Sequence, residues 1–252
     1  MTLPYVQDLR HCFPAQSGPH PLGHEAYEAH LAALKPHLQA LRDSARAGGQ
    51  PLYEIVRRRD DLATAGPVVA HLLKNTTDLC LLGVGGSGLG AQAVAQLKGW
   101  RTPGVMDRIG DMRFHVFDNL DGATFAHALT ALDLRTTRFL VVSKSGSTGE
   151  TMMQALAAAE ALKAAGGGKY LAQHFAVLTE PTANNPARKF AEEIGAPALD
   201  HPLDIGGRYS VLTLVGLLPA LLLGLDAAAF REGAEAVWDR VLAADDAEPV
   251  AG

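Results

Sequence analysis

Between residues 78 and 199, short apolar runs alternate with longer stretches in which apolar residues recur about every 3.6 positions. The runs Leu79–Val84, Arg113–Phe117, Phe139–Val142 and Phe175–Leu178 predict strands, with a fifth, short one at Ala198–Leu199. Leu89–Leu97, the segment from Gly122 to about Ala131, the Ala- and Leu-rich stretch after Thr151, and Asn184–Ile194 predict the helices between and after them. Phe139–Val142 is apolar without alternation, as a strand covered on both faces requires. This grammar predicts an α/β fold: a doubly wound, mostly parallel five-stranded sheet with right-handed crossovers and helices on both faces. Ligands of such sheets bind beyond the carboxyl ends of the strands.

The flanks follow a different pattern. Residues 1–22 are irregular. His24–Ala47 has helical periodicity, with Pro36 expected as a kink or break, and Val68–Leu73 is a second, shorter helical piece. The Asp60–Asp61 pair reads as solvated, near that helix's start. After Asp204 comes IGGRYSVLTLVGLLPALLLGLD, then a helix from Ala227 to about Ala243 and a tail-like end. This long apolar region has no sheet of its own, so its helices must pack on the α/β domain or on a partner; uncovered, it would expose a large patch. The expected organisation is a helical arm over 1–75, an α/β domain over 76–203, and the helical start of an incomplete second domain over 204–252.

Composition narrows the partners. The formal net charge is −5 and no block of like charge stands out, which argues against nucleic acid or an anionic membrane surface. An anionic substrate needs only local positive potential. The start, MTLPYVQDLR, lacks a signal-peptide pattern, and Val211–Leu225, interrupted by Thr213, Gly216, Pro219 and Gly224, is too short to span a bilayer. Cys80 lies inside an apolar strand and reads as core, and the ten histidines show no metal spacing. The expectation is a cytoplasmic protein without metal or cofactor.

The chemistry concentrates after the third strand. Ser143, Ser145, Ser147 and Thr148 place four hydroxyls in a strand-to-helix loop, with Gly146 and Gly149 interleaved. Ser147 and Glu150 have capping-box spacing and predict the helix start at Ser147. Such a loop offers backbone N–H groups and the positive end of a helix dipole; with four hydroxyls added it reads as a phosphate pocket. Glu150 reads as a capping residue, being too close to a bound phosphate to serve as a base.

Two further stretches stand out. Gly83, Gly85 and Gly88 fit a dinucleotide fingerprint, but the acid expected about 20 residues on is poorly placed. Alternatively, Gly85 and Gly86 let a sugar approach the backbone, with Ser87 donating to it. Arg208, behind Gly206 and Gly207, is either a structural partner for an acid such as Asp204 or a cation held over an anion.

GVGGSGLG, VVSKSGSTGET and DIGGRYSVLTLVGLLPA, in this order, resemble the amino-terminal half of the glucose-6-phosphate isomerase family, and DNLDG ending at Gly122 resembles a further stretch of it. The first two motifs resemble the family's sugar-isomerase (SIS) domain, which is flavodoxin-like; the resemblance covers roughly residues 50–225. It implies reversible isomerisation of glucose 6-phosphate to fructose 6-phosphate through a cis-enediol, a step of glycolysis and gluconeogenesis, without cofactor. Gly86 and Ser87 would contact the sugar. Ser143, Lys144 (through its backbone), Ser145, Ser147 and Thr148 would cradle the phosphate, and Arg208 would steady the enediolate. Gly146 stands where many members carry an aromatic residue. The family's catalytic glutamate, and the histidine and lysine of ring opening, belong to carboxyl-terminal motifs, so the chain is expected to be a truncated half lacking the base. The full-length family is usually dimeric. Two other readings remain: a phosphosugar sensor without turnover, and a bifunctional phosphoglucose/phosphomannose isomerase.

Overall fold

The computed structural model describes residues 8–13, 23–100, 108–109 and 112–243. Chain contacts divide it into two compact units, Arg58–Ala228 and Met1–Arg57 with Ala229–Gly252.

The larger unit is built on six strands: β1 (Asp78–Leu82), β2 (Arg108–Ile109), β3 (Met112–Phe117), β4 (Thr137–Val142), β5 (Phe175–Thr179) and β6 (Ala198–Asp200), in the order β2-β3-β1-β4-β5-β6. The five expected strands are β3, β1, β4, β5 and β6, and they pair in parallel. The unexpected β2 adds a two-residue antiparallel edge on β3. The chain's helices are α1 (His24–Arg46), α2 (Pro51–Glu54), α3 (Asp60–Leu73), α4 (Gly86–Gln96), α5 (Gly122–Ala131), α6 (Gly149–Ala164), α7 (Leu171–His174), α8 (Pro186–Ile194), α9 (Leu214–Leu222) and α10 (Ala227–Ala243).

Successive strand residues point into two separate cores. Leu79, Leu81, Leu140, Val142, Ala176 and Leu178 meet α3, α4 and α9 on one face. Cys80, Leu82, Phe139, Val141, Phe175 and Val177 meet α5, α6 and α8 on the other. The two-residue period of a strand produces this division directly, and each fully buried Leu or Phe contributes roughly 1.5–3 kcal/mol. Cys80 is fully buried, and desolvation pushes its thiol pKa up, so it stays protonated and inert.

Several boundaries move. α3 begins at Asp60, eight residues ahead of the expected Val68, because burial of Ala65, Val68 and Leu72 carries the helix through Pro67. α4 begins at Gly86, since Gly85 alone, at φ 58°, makes the turn. The apolar stretch after Asp204 becomes α9, buried almost end to end against α3 and α4, so the α/β unit itself covers it. The compact unit therefore takes in residues on both sides of the boundaries expected at 75 and 203.

In the smaller unit α1 continues through Pro36 without a break. The ring of Tyr53 stacks on Trp238 at 4.1 Å, and Arg42 Nε donates to the Val241 carbonyl at 2.7 Å. Much of residues 1–22 lies outside the described residues.

Candidate functional site

Four strand-to-helix junctions leave the carboxyl edge of the sheet, and two of them converge. At the first, β4 is followed by Ser143, whose N–H still donates to the Leu178 carbonyl at 3.1 Å. The Ser143 side chain is buried, and its Oγ lies 3.1 Å from Thr148 Oγ1. Ser147 donates from N–H and Oγ to Ser145 Oγ, at 3.3 and 3.1 Å. The helix that follows starts at Gly149 with Thr148 as N-cap and no side-chain cap, and Glu150 is exposed. The expected Ser147–Glu150 capping box is therefore not formed. Ser147 is held back by Ser145, and the loop's hydroxyls are left out of α6's end.

What sits beneath the loop explains Gly146. It has φ 67°, and a Cβ there would overlap the Asn185 amide. Asn185, 1% exposed, donates to Thr179 Oγ1 (2.6 Å) and the Glu180 carbonyl (3.2 Å), and its Oδ1 accepts from Arg188 N–H (3.0 Å). The Gly146 carbonyl in turn accepts from Ala187 N–H at 3.1 Å. Asn185 occupies the space a side chain at 146 would need.

The second junction is the glycine turn from β1 into α4, also without a side-chain cap. A Cβ on Gly86 would collide with the Gly207 carbonyl and crowd Arg208 N, and one on Gly88 would collide with the Gly83 carbonyl. The glycines thus serve two close backbone approaches, one of which lays the Arg208 segment across the turn. A side chain secures that segment from the other junction: Lys144 Nζ donates to the carbonyls of Leu203 (3.0 Å) and Ile205 (2.8 Å) and lies 3.5 Å from Glu180 Oε1.

Together these elements enclose a cleft of about 410 Å³, lined by Gly86, Ser87, Lys144, Ser145, Thr148 and Arg208, with Val84, Gly85, Glu180 and Gly207 completing it. Ser143 lies behind Thr148, and Ser147 is exposed beside the lining. Arg208 is exposed, and its side chain has no hydrogen bond or ion pair to another described residue, Asp204 included. No cluster of three potential metal ligands occurs among the described residues.

Two residues were not anticipated. Glu180 is the acid that lines the cleft, and its place just past β5 is the signal that could have found it. Thr151 is fully buried one turn into α6, and its Oγ1 has no hydrogen-bond partner; its i,i+3 relation to Thr148 puts both on one helix face.

Comparison with known proteins follows this geometry. The family model described as phosphoglucose isomerase matches residues 53–249. A glucose-6-phosphate isomerase from Carboxydothermus hydrogenoformans is 36% identical over 222 residues, 87% of this chain and 47% of that protein. One from Thermus thermophilus is 37% identical over 166 residues, 66% of this chain and 37% of that protein. The crystal structure of a hypothetical protein from Thermus thermophilus matches with a TM-score of 0.73 at 30% identity, covering 90% of this chain and 54% of that one. A glucose-6-phosphate isomerase from Chlamydia trachomatis shares the fold, with a TM-score of 0.59 at 24% identity over 73% of this chain and 34% of that one. No described helix is long and apolar enough to cross a membrane. The chain spans about half the length of the first curated relative it matches, or less of others. Because the family model takes in all of the sheet-bearing unit and its cleft, the chain belongs to the phosphoglucose isomerase family.

Proposed function

We propose that this chain carries the phosphate- and enediolate-binding part of a glucose-6-phosphate isomerase, which interconverts glucose 6-phosphate and fructose 6-phosphate. The observation that carries the reading is Arg208, an arginine without a partner among the described residues, lining the same cleft as Ser145, Thr148, Gly86 and Ser87. A volume of about 410 Å³ suits a hexose phosphate. The phosphate lies at the uncapped start of α6, where the hydroxyls of Ser145 and Thr148 and the Lys144 backbone donate to it. Ser143 orients Thr148 from behind, and Ser147 positions Ser145. Gly86 and Ser87 face the sugar.

Isomerisation moves one proton between C2 and C1 and passes through a cis-enediolate. The guanidinium of Arg208 meets the negative charge that develops there, which stabilises the enediolate more than the substrate. The proton carrier and the ring-opening groups come from outside this cleft. Glu180 is held beside Lys144, on the phosphate side, where it secures the loop. The complete enzyme acts as a cytoplasmic homodimer.

Calorimetric titration of purified chain with glucose 6-phosphate tests the reading. Saturable binding, displaced by fructose 6-phosphate and not by glucose, is expected; its absence overturns the proposal. A coupled assay on the same material should show no turnover. Turnover abolished by Glu180→Gln would instead make Glu180 the base.

A further inference from the structure

β4 carries a second polar cleft at its opposite end. This one has a volume of about 520 Å³, and its lining includes Asn75, Thr136, Arg138, Tyr170, Gln173 and His174. Arg138 is only 6% exposed, yet it has no acidic partner among the described residues. Its Nη1 donates to the carbonyls of Thr137 (3.0 Å) and Arg135 (3.3 Å), and Nη2 to that of Lys74 (2.9 Å). Its Nε is buried and has no hydrogen-bond partner. Elsewhere in the same unit the Nε–Nη2 edge of an arginine grips a carboxylate: Arg58 on Asp60, Arg113 on Asp78, Arg135 on Asp133. The corresponding edge of Arg138 holds only a carbonyl. Carbonyl dipoles orient a guanidinium but cancel none of its charge, and desolvation lowers the Arg138 pKa, as burial without a counter-ion requires.

The surroundings add no acid. His174 is also 6% exposed; its Nδ1 lies 2.9 Å from the Thr137 carbonyl, which can only accept, so the ring hydrogen is used there, and it lies 3.3 Å from Arg138 Nη1. Among the described residues, no carboxylate lines the cleft. Asp133, next to its rim in sequence, is already held by Arg135, whose hydrogen bonds draw its pKa down to about 2. Tyr170, 44% exposed, lines the cleft with Gly166 and Gly167, and Lys169 Nζ lies 4.9 Å from its ring centroid.

We propose that this cleft is a second anion site, which takes the phosphate group of a small phosphorylated metabolite on the Nε edge of Arg138 and its organic body against Tyr170. The volume exceeds what an inorganic ion fills. The strand between the two clefts has six residues, a separation of roughly 20 Å at about 3.3 Å per residue, so no single small ligand occupies both.

The test uses the full chain with Ser145→Ala and Thr148→Ala, which empties the first cleft, titrated at constant ionic strength with inorganic phosphate and with phenyl phosphate. One saturable site per chain should remain, tighter for phenyl phosphate. Gln173→Glu, an exposed position where a carboxylate enters the rim, should weaken it at least tenfold. Arg138→Lys, which keeps the charge and removes the planar edge, should do the same. Absence of a saturable site in the Ser145/Thr148 variant overturns the proposal, as does a site that responds neither to Gln173→Glu nor to Arg138→Lys.

Discussion

The carboxyl edge of the sheet has four strand-to-helix junctions of two kinds. After β3 and β5, a side chain closes the helix: Asp121 accepts from Thr124 N–H at 2.7 Å, and Asn185 from Arg188 N–H at 3.0 Å. After β1 and β4, no side chain caps α4 or α6, and both open on the 410 Å³ cleft. A side-chain cap satisfies helix N–H groups within the chain; without one, those groups and the helix dipole remain available to an external anion. The capped junctions close their helix ends within the chain, and the uncapped pair leaves its helix N–H groups open to the cleft. Asn185 links the two kinds, since it caps α8 and also fills the space under Gly146.

The sharpest break of this division is Ser145→Ala with Thr148→Ala. Each charge-assisted hydrogen bond is worth about 1.5–3 kcal/mol, so the pair should weaken sugar-phosphate binding well over tenfold. The melting temperature should fall only modestly, because neither hydroxyl caps the helix and the interior bond lost is that from Ser143 Oγ to Thr148 Oγ1. Equal affinities in a titration of wild type and variant would place the phosphate elsewhere. Next in size is Arg208→Lys in the complete enzyme. The charge is kept but the planar fork is lost, and turnover should fall at least tenfold with a modest change in Michaelis constant and no early melting. A variant that melts early and keeps its turnover per folded molecule would make Arg208 a structural residue.

Gly146→Ala probes the place where the two kinds of junction touch. An L-residue at φ 67° costs roughly 1–2 kcal/mol, and the new Cβ must displace the Asn185 amide, whose cap is worth about 1 kcal/mol more. Denaturant titration should show a loss of about 2–3 kcal/mol together with weaker sugar-phosphate binding. Unchanged stability would mean that Asn185 moves aside freely.

How much of this was legible in the chain depended on range. β1, β4 and β5 could be read because strands buried on both faces are apolar runs, and β3 and β6 from shorter apolar stretches in the repeating strand-helix order, while β2, two residues long, carries no pattern of its own. The start of α6 was misread because S-x-x-E spacing is shared by a capping box and by a hydroxyl loop; the Ser145–Ser147 hydrogen bonds that decide between them follow from the loop's fold. Ser145, Thr148, Gly86, Ser87 and Arg208 could be named in advance because each lies in a local motif. Glu180 lay within reach as the acid just past a predicted strand, but the Gly146–Asn185 contact could not be foreseen, since it depends on β5 lying beside β4.

The smallest effect belongs to a junction that should have no part in binding. Asp121 caps α5, and the backbone N–H of Thr124 holds its carboxyl below the ordinary value of 3.8. A carboxyl with a lowered folded-state pKa contributes stability above its unfolded pKa and loses it as pH falls through the folded one. Asp121→Ala should therefore lower the melting temperature slightly near neutral pH, and that gap should close as the solution is acidified below about pH 4. Thr148→Ala should show no such pH-dependent gap, because no carboxylate caps α6. Sugar-phosphate affinity in the Asp121 variant should equal that of wild type. A binding loss there would mean that capped and uncapped junctions are not separate in function, and that α5 reaches the cleft through the hydrogen bond from Gln154 Nε2 to the Asn119 carbonyl.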